Sequence, residues 1–277
     1  RQTEYSYFGF DVAISGDTVV IGAMTDEIDQ DAGSAYVFSR NQGGADNWGE
    51  VIKLTASDAA AFDAFGTSVA VSGDTAVVGA PYDQIGSNSY QGSAYVFSRN
   101  LGGADNWGQV AKLVAADGGY NNVFGYSVAV SGDTVVTGAY YDDDNGDFSG
   151  SAYVFSRNQG GADSWGEVAK LVASDGAYLD QFGTSVAVSG DRVVVGAPED
   201  ADFGSYTGAA YVFDRNHGGV DNWGEVTKLT ASDAAPDNRF GRSVAISSDT
   251  IVTGAWGNNS RMGAAYVFLS CGTGPGE

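Results

Sequence analysis

Apolar and polar positions alternate with period two over short stretches of this chain, and the stretches recur in one fixed order. In Ser68-Val-Ala-Val-Ser72 the valines fall on one face and the small residues on the other, the pattern of a half-buried strand. Gly73-Asp74 then predicts a two-residue hairpin loop, because glycine supplies the positive φ that primed turns require. Thr75–Ala80 returns as a second, β-branched strand. Gly92–Phe97 and Trp107–Leu113 predict a third and a fourth, separated by the loop Ser98–Asn106. No stretch carries a helical 3.6-residue period of useful length.

This unit occurs five times, opening with Phe-Gly at Phe8, Phe65, Phe124, Phe182 and Phe240, at spacings of 57, 59, 58 and 58 residues. A fixed period of that size, built from four short strands, predicts propeller blades. The expected fold is all-β: a single five-bladed propeller over 1–270, followed by a Gly/Pro tail or linker over 271–277. The fifth copy ends after its third strand, so nineteen strands are expected, and a ring of five would have to close by packing without a shared sheet. A longer chain with further blades, or a larger assembly, is the alternative. The fifth hairpin, Ser247-Ser248-Asp249-Thr250, puts serine where the others have glycine and is expected to be strained or of another turn type.

The Phe-Gly opening, the Ser-Val-Ala strand and the endings Gly79-Ala-Pro81 and Gly196-Ala-Pro198 resemble FG-GAP repeats, the blades of the integrin α-subunit head and of many bacterial secreted proteins. The resemblance implies a non-catalytic, extracellular or cell-surface binding or adhesion module. Calcium-binding blades of that family carry an Asp-x-Asp-x-Asp-Gly-x-x-Asp loop between their first two strands, whereas every copy here has only a short hairpin. The resemblance therefore brings no required cofactor with it.

The net charge of −22, from 35 acidic and 13 basic residues, disfavours nucleic acid and anionic membrane as partners. No apolar run approaches the roughly 18 residues of a spanning helix, so membrane insertion is not expected. Eight of the cations recur with the repeat, Arg40, Arg99, Arg157 and Arg215 after the third strand and Lys53, Lys112, Lys170 and Lys228 in the fourth. That regularity predicts structural pairing with repeated carboxylates. Trp48, Trp107, Trp165 and Trp223 recur likewise and read as packing anchors between blades. One histidine, His217, and one cysteine, Cys271, give no nucleophilic or zinc constellation, and catalysis is not expected.

Between the Gly-Ala that ends strand two and the glycine that opens strand three lie 9, 11, 10, 10 and 7 residues. Without these loops, 48 residues remain in each of the four Phe-Gly spacings, so this one loop holds all the length variation. An element free to vary on an invariant scaffold is where binding is expected. Its candidate ligand contacts are Tyr82, Tyr140, Tyr141, Phe148, Phe203, Tyr206 and Trp256. Asp142, Asp144, Asp147, Asp200 and Asp202 are the candidate metal ligands, although the register of Tyr141–Asp147 fails the calcium-loop pattern and a solvated turn is the simpler reading. Weak calcium binding by the summed acidic potential is the most that is expected. The recurrent Asp26, Asp83, Asp142 and Asp200, with Asn258 in the fifth copy, read as Asx turns. Three functions are compatible with these features: a binding or adhesion module for a protein or glycan, a lectin-like propeller, and an architectural component of an envelope, filament or matrix.

Overall fold

The computed structural model describes residues 6–26, 31–202, 204–257 and 262–269. Phe203, Asn258, Cys271 and the 271–277 tail lie outside the described residues. Within them every predicted strand is present and no helix occurs. Blade 1 comprises β1 (Phe8–Ser15), β2 (Thr18–Ala23), β3 (Ser34–Ser39) and β4 (Gly49–Leu54). Blade 2 comprises β5 (Ser68–Ser72), β6 (Thr75–Ala80), β7 (Ser93–Ser98) and β8 (Gly108–Leu113). Blade 3 comprises β9 (Ser127–Ser131), β10 (Thr134–Ala139), β11 (Ser151–Ser156) and β12 (Gly166–Leu171). Blade 4 comprises β13 (Ser185–Ser189), β14 (Arg192–Ala197), β15 (Ala209–Asp214) and β16 (Gly224–Leu229). Blade 5 comprises β17 (Phe240–Ser247), β18 (Thr250–Ala255) and β19 (Ala264–Leu269). Each sheet is an antiparallel meander in chain order, with the register of its first two strands set by the hairpin, as in Ser72 opposite Thr75.

Adjacent sheets pack face to face, and the core lies between them. At the first junction Val20 and Val37 of blade 1 meet Phe65, Val69, Val78 and Tyr95 of blade 2. The Phe of each Phe-Gly pair from blade 2 onward is fully buried, and Phe65 meets Tyr95 and Phe97 edge-on at 5.5 and 6.0 Å. The close approach depends on glycine. A Cβ at Gly79, Gly138 or Gly196 would overlap the backbone oxygen of Gly125, Gly183 or Gly241 in the next blade. Beside each overlap a serine hydroxyl, on Ser68, Ser127 or Ser185, donates to that same oxygen at 2.8 Å. Just outside, the Phe65 N–H donates to the Ala32 carbonyl at 2.9 Å and forms a parallel bridge beside it, an arrangement repeated at each junction. Three of the repeated tryptophans are buried at 3% exposure, each under the arginine of its own blade, whereas Trp48 of blade 1 is 39% exposed.

One expectation is corrected. Among the described residues the five blades pack in chain order in a propeller-like arrangement, and the extensive contacts that join consecutive blades are not repeated between the first and the fifth, where closure by packing was expected. Each step between consecutive blades is fixed by the same glycine contact. Val12 and Ile14 of β1 stand 62% and 67% exposed, where the corresponding Val69 of blade 2 is buried.

The fifth hairpin keeps the turn of the others. Ser248 adopts φ 51°, the left-handed conformation that Gly16, Gly73, Gly132 and Gly190 hold at 55–58°. A Cβ in that region costs about 1 kcal/mol. Ser248→Gly is expected to raise the unfolding free energy by about 0.5–1 kcal/mol in urea denaturation, and an unchanged or lower value would show the turn to be relaxed.

Candidate functional site

The loops between strands two and three and the connections between blades lie at one end of the stack. This follows from the ion clusters that join them. In blade 2 the Lys112 ammonium contacts Asp58 of the preceding connection at 2.6 Å and Asp83 of the variable loop at 2.7 Å, and the Tyr95 hydroxyl donates to the same two carboxylates at 2.9 and 3.0 Å. Blade 3 repeats this with Lys170, Tyr153, Asp117 and Asp142, and blade 4 with Lys228, Tyr211, Asp175 and Asp200. Each lysine also lies over the ring of its tyrosine at 5.2–5.3 Å. At the opposite end the arginines hold the hairpins, as in Arg157 Nε to Asp133 at 2.6 Å.

These clusters revise the reading of the recurrent aspartates. Asp142 does cap a local turn, accepting from the Asp143 N–H at 2.9 Å, but Asp26, Asp83, Asp142 and Asp200 are buried and serve chiefly as acceptors for a lysine and a tyrosine. Burial alone would raise the Asp117 carboxyl, yet hydrogen bonds from Lys170 and Tyr153 hold it below its ordinary value, and Asp175 is lowered in the same way. Burial would lower Lys170 and Lys228, and their carboxylate partners raise both well above the usual lysine value.

The candidate metal ligands sit in or beside these clusters. Lys170 is shared by Asp117, Asp142 and Asp144, and Lys228 by Asp175, Asp200 and Asp202, so an ammonium stands at the centre of each carboxylate group. Asp147 is exposed beside them. Among the described residues no group of three or more His, Cys, Asp or Glu side chains is arranged to hold a metal ion.

The aromatic candidates come together over the middle of the same end. Tyr140 packs between Tyr126 and Tyr141, its ring tilted 59° and 51° to theirs with centroids at 4.4 and 4.1 Å, and Tyr141 meets Phe148 at 4.7 Å. Tyr82 meets Tyr90 at 5.7 Å, and burial raises the Tyr82 hydroxyl with Tyr126 and Tyr141 contributing. Further along the chain, Arg239 spans the faces of Tyr206 and Trp256 at 5.6 and 5.2 Å and pairs with Glu199 at 3.4 Å. Between the two groups lies an open cleft of about 210 Å³, lined by Tyr126, Tyr140, Tyr141, Gln181, Thr184, Pro198, Glu199, Arg239 and Arg242. Burial pushes the Glu199 carboxyl up, and Arg239 and Arg242 pull it back.

Tyr126, Gln181, Arg239 and Arg242 were not among the expected site residues. The signal for them was present, since they flank Phe-Gly. The preceding residue is Tyr7, Ala64, Val123, Gln181 or Arg239, and the residue two after the Phe is Phe10, Thr67, Tyr126, Thr184 or Arg242. All five preceding residues hold φ between 47° and 57°, a backbone set by the fold whatever the side chain. A larger cavity of about 510 Å³ opens between blades 4 and 5, where no tryptophan fills the junction, and its apolar wall is made by Val212, Val226, Leu229, Ile251, Phe268 and Leu269.

The family model described as FG-GAP repeat matches residues 2–38, 48–97, 107–155, 165–213 and 223–268; each match ends in the third strand of one blade, and the last four begin at the fourth strand of the blade before. No curated protein matches the chain.

Asp63 and Asp180 lie two residues before Phe-Gly, where the other late copies have Asn122 and Asn238. Each accepts from a turn N–H, of Ala60 or Ala177, at 2.7 Å, and desolvation pushes both carboxyls up to about 6 from 3.8. Between about pH 4 and 6 the folded chain therefore binds protons that the unfolded chain does not, and stability rises as pH falls through that window. Below it Asp117 and Asp175 protonate and the lysine clusters are lost. Asp63→Asn and Asp180→Asn are each expected to add about 1 kcal/mol or less at pH 7, after solvent screening, and to flatten the rise between pH 7 and 5. Thermal melts across that range check this, and a wild-type midpoint that falls between pH 7 and 5 would contradict it.

Proposed function

Because the chain belongs to the FG-GAP repeat family, we propose that it is a non-catalytic extracellular binding module whose ligand, a protein segment or a glycan, occupies the tyrosine and arginine cleft on the loop face. One observation carries this reading. The positions that escape the repeat, in the variable loops and beside Phe-Gly, converge on that cleft, while the positions that obey the repeat build the junctions. Tyrosine planes supply contact area at small entropic cost, and Arg239 and Arg242 are among the few cations outside the repeated set in a chain of net charge −22. The cluster of Tyr126, Tyr140 and Tyr141 beside the cleft also favours the lectin-like reading, since half-buried aromatic side chains suit the apolar side of a sugar ring. Nucleic acid does not suit so acidic a surface, and among the described residues no helix is long and apolar enough to cross a membrane.

In this reading no ion holds a blade together. The first hairpins close by backbone geometry, and Lys170 and Lys228 supply the positive charge that the acidic loops need. The melting midpoint is expected to stay unchanged in excess EDTA and to rise slightly with millimolar calcium, as the acidic face attracts cations weakly to the folded state. Collapse of the fold on chelation would contradict it.

Tyr141→Ala and Arg242→Ala are expected to weaken binding of any ligand found on a glycan array or in a peptide display by about tenfold or more each, with the melting temperature nearly unchanged. Binding that survives both substitutions would place the ligand elsewhere.

A further inference from the structure

We propose that the cleft on the loop face selects a sugar ring carrying a single carboxylate, of the uronic acid class, with Arg242 as its charge partner, an assignment that rests on the cleft being the ligand site.

The pairing of charges singles out Arg242. Among the described residues every other arginine and lysine has a carboxylate oxygen within 3.4 Å. Arg242 pairs with none, in a chain of 35 acidic and 13 basic residues. It stands on the side of blade 5 that faces blade 4 and shares the cleft with Pro198 and Glu199 of that blade. Glu199 is already taken by Arg239 at 3.4 Å, its side chain only 14% exposed, and it feels the charge of Arg242 without pairing with it. Two arginines against one glutamate leave the cleft walls positive by one, on a molecule of net charge −22.

The backbone holds that charge in place. Arg242 N–H donates to the Arg239 carbonyl at 3.3 Å, the same turn in which Thr184 N–H donates to the Gln181 carbonyl at 3.2 Å. Both guanidinium groups are therefore carried on the turn that leads Phe-Gly into its junction, where Phe240 is fully buried. An exposed guanidinium fork on a fixed turn matches a planar carboxylate, which it can hold through two parallel hydrogen bonds.

The other walls say what the carboxylate is attached to. Tyr126, Tyr140 and Tyr141 offer apolar ring surface and hydroxyls, and the Gln181 amide and Glu199 carboxylate can donate to and accept from ring hydroxyls. The cleft, at about 210 Å³, is smaller than the roughly 300 Å³ at which pockets for drug-sized molecules begin, so it holds one ring and not a run of residues. A peptide rich in Asp and Glu could satisfy Arg242 once, and its remaining carboxylates would face Glu199 and the acidic surface around it. A sugar ring gives Glu199 hydroxyl donors instead, so one acidic sugar among neutral neighbours fits best.

The test is an array of oligosaccharides of varied linkage, each with one glucuronic or galacturonic acid among neutral sugars, and each paired with a copy whose carboxyl is reduced to the alcohol. Sulfated copies and Glu-rich peptides complete the set. At least one uronic acid probe should bind the 277-residue chain about tenfold or more tighter than its reduced copy. Arg242→Gln should remove that difference, and Arg242→Lys, which keeps the charge without the fork, should restore part of it. Tyr141→Ala should weaken both copies alike. Arg242 is exposed, so folding should survive, and circular dichroism verifies it. Failure of every uronic acid probe to bind, tighter binding of the sulfated copies or the peptides, or a preference that survives Arg242→Gln would each overturn the proposal. Reduced copies that bind as tightly as the acids, and are weakened by Tyr141→Ala, would refute the charge selection and leave the cleft as the ligand site. Binding untouched by both Tyr141→Ala and Arg242→Gln would refute the site itself.

Discussion

The approach of each Phe-Gly backbone to the glycine that ends the previous blade's second strand is the constraint on which the rest of this structure depends. Sheets stacked face to face normally stand about 10 Å apart, held off by side chains. Here the innermost strands meet backbone to backbone at one point, because Gly79, Gly138 and Gly196 carry no Cβ and the carbonyls of Gly125, Gly183 and Gly241 fill that space. Away from that point the sheets diverge, and side chains of increasing size fill the gap. Valines come first, then Tyr153 and Phe155 under Phe124, and finally Trp165 beneath Arg157. A wedge with a hard apex and a filled rim has one stable angle, which is why the junctions repeat so closely.

The polar architecture follows from the wedge. Tyr153 and Tyr211 are buried between blades, so their hydroxyls need acceptors, and carboxylates of the variable loop and of the preceding connection provide them. Two carboxylates brought so close require a cation, and the lysine of the fourth strand supplies it. Such a cluster fixes the inter-blade connection to the loop of the following blade, and it is weak evidence for net stability, since desolvating the charges costs about as much as their pairing returns. Its contribution is positional. With the base of each variable loop clamped, the residues beyond it are free to differ, and the tyrosines and arginines of the cleft are among those that do.

Much of this was legible in the sequence, and what escaped has physical causes. Strand order, hairpins, the three-stranded fifth sheet and the face carrying the loops all follow from the repeat, because period-two patterning and glycine placement are local signals. The lysine clusters were legible only as regularity. Lys112 and Asp58 lie 54 residues apart, and only the blade-to-blade step brings them together. The cleft was half legible: Tyr140 and Tyr141 stood out in the variable loop, whereas Tyr126 and Arg242 lay inside what reads as scaffold motif, exposed by the turn that carries Phe-Gly past the apex. Ring closure was not legible at all, since it depends on a sum of angles that no single blade specifies.

The most direct test of the wedge is the unfolding free energy of Gly138→Ala by urea denaturation. Gly138 has an ordinary strand conformation, so alanine adds no backbone strain, and the only cost is the collision of one methyl group with the Gly183 carbonyl oxygen and the Ser127 hydroxyl. A loss of about 2 kcal/mol or more is expected, since backbone on both sides leaves little room to yield. A stability equal to the wild type would mean that the blades are not held by this contact, and would contradict the account.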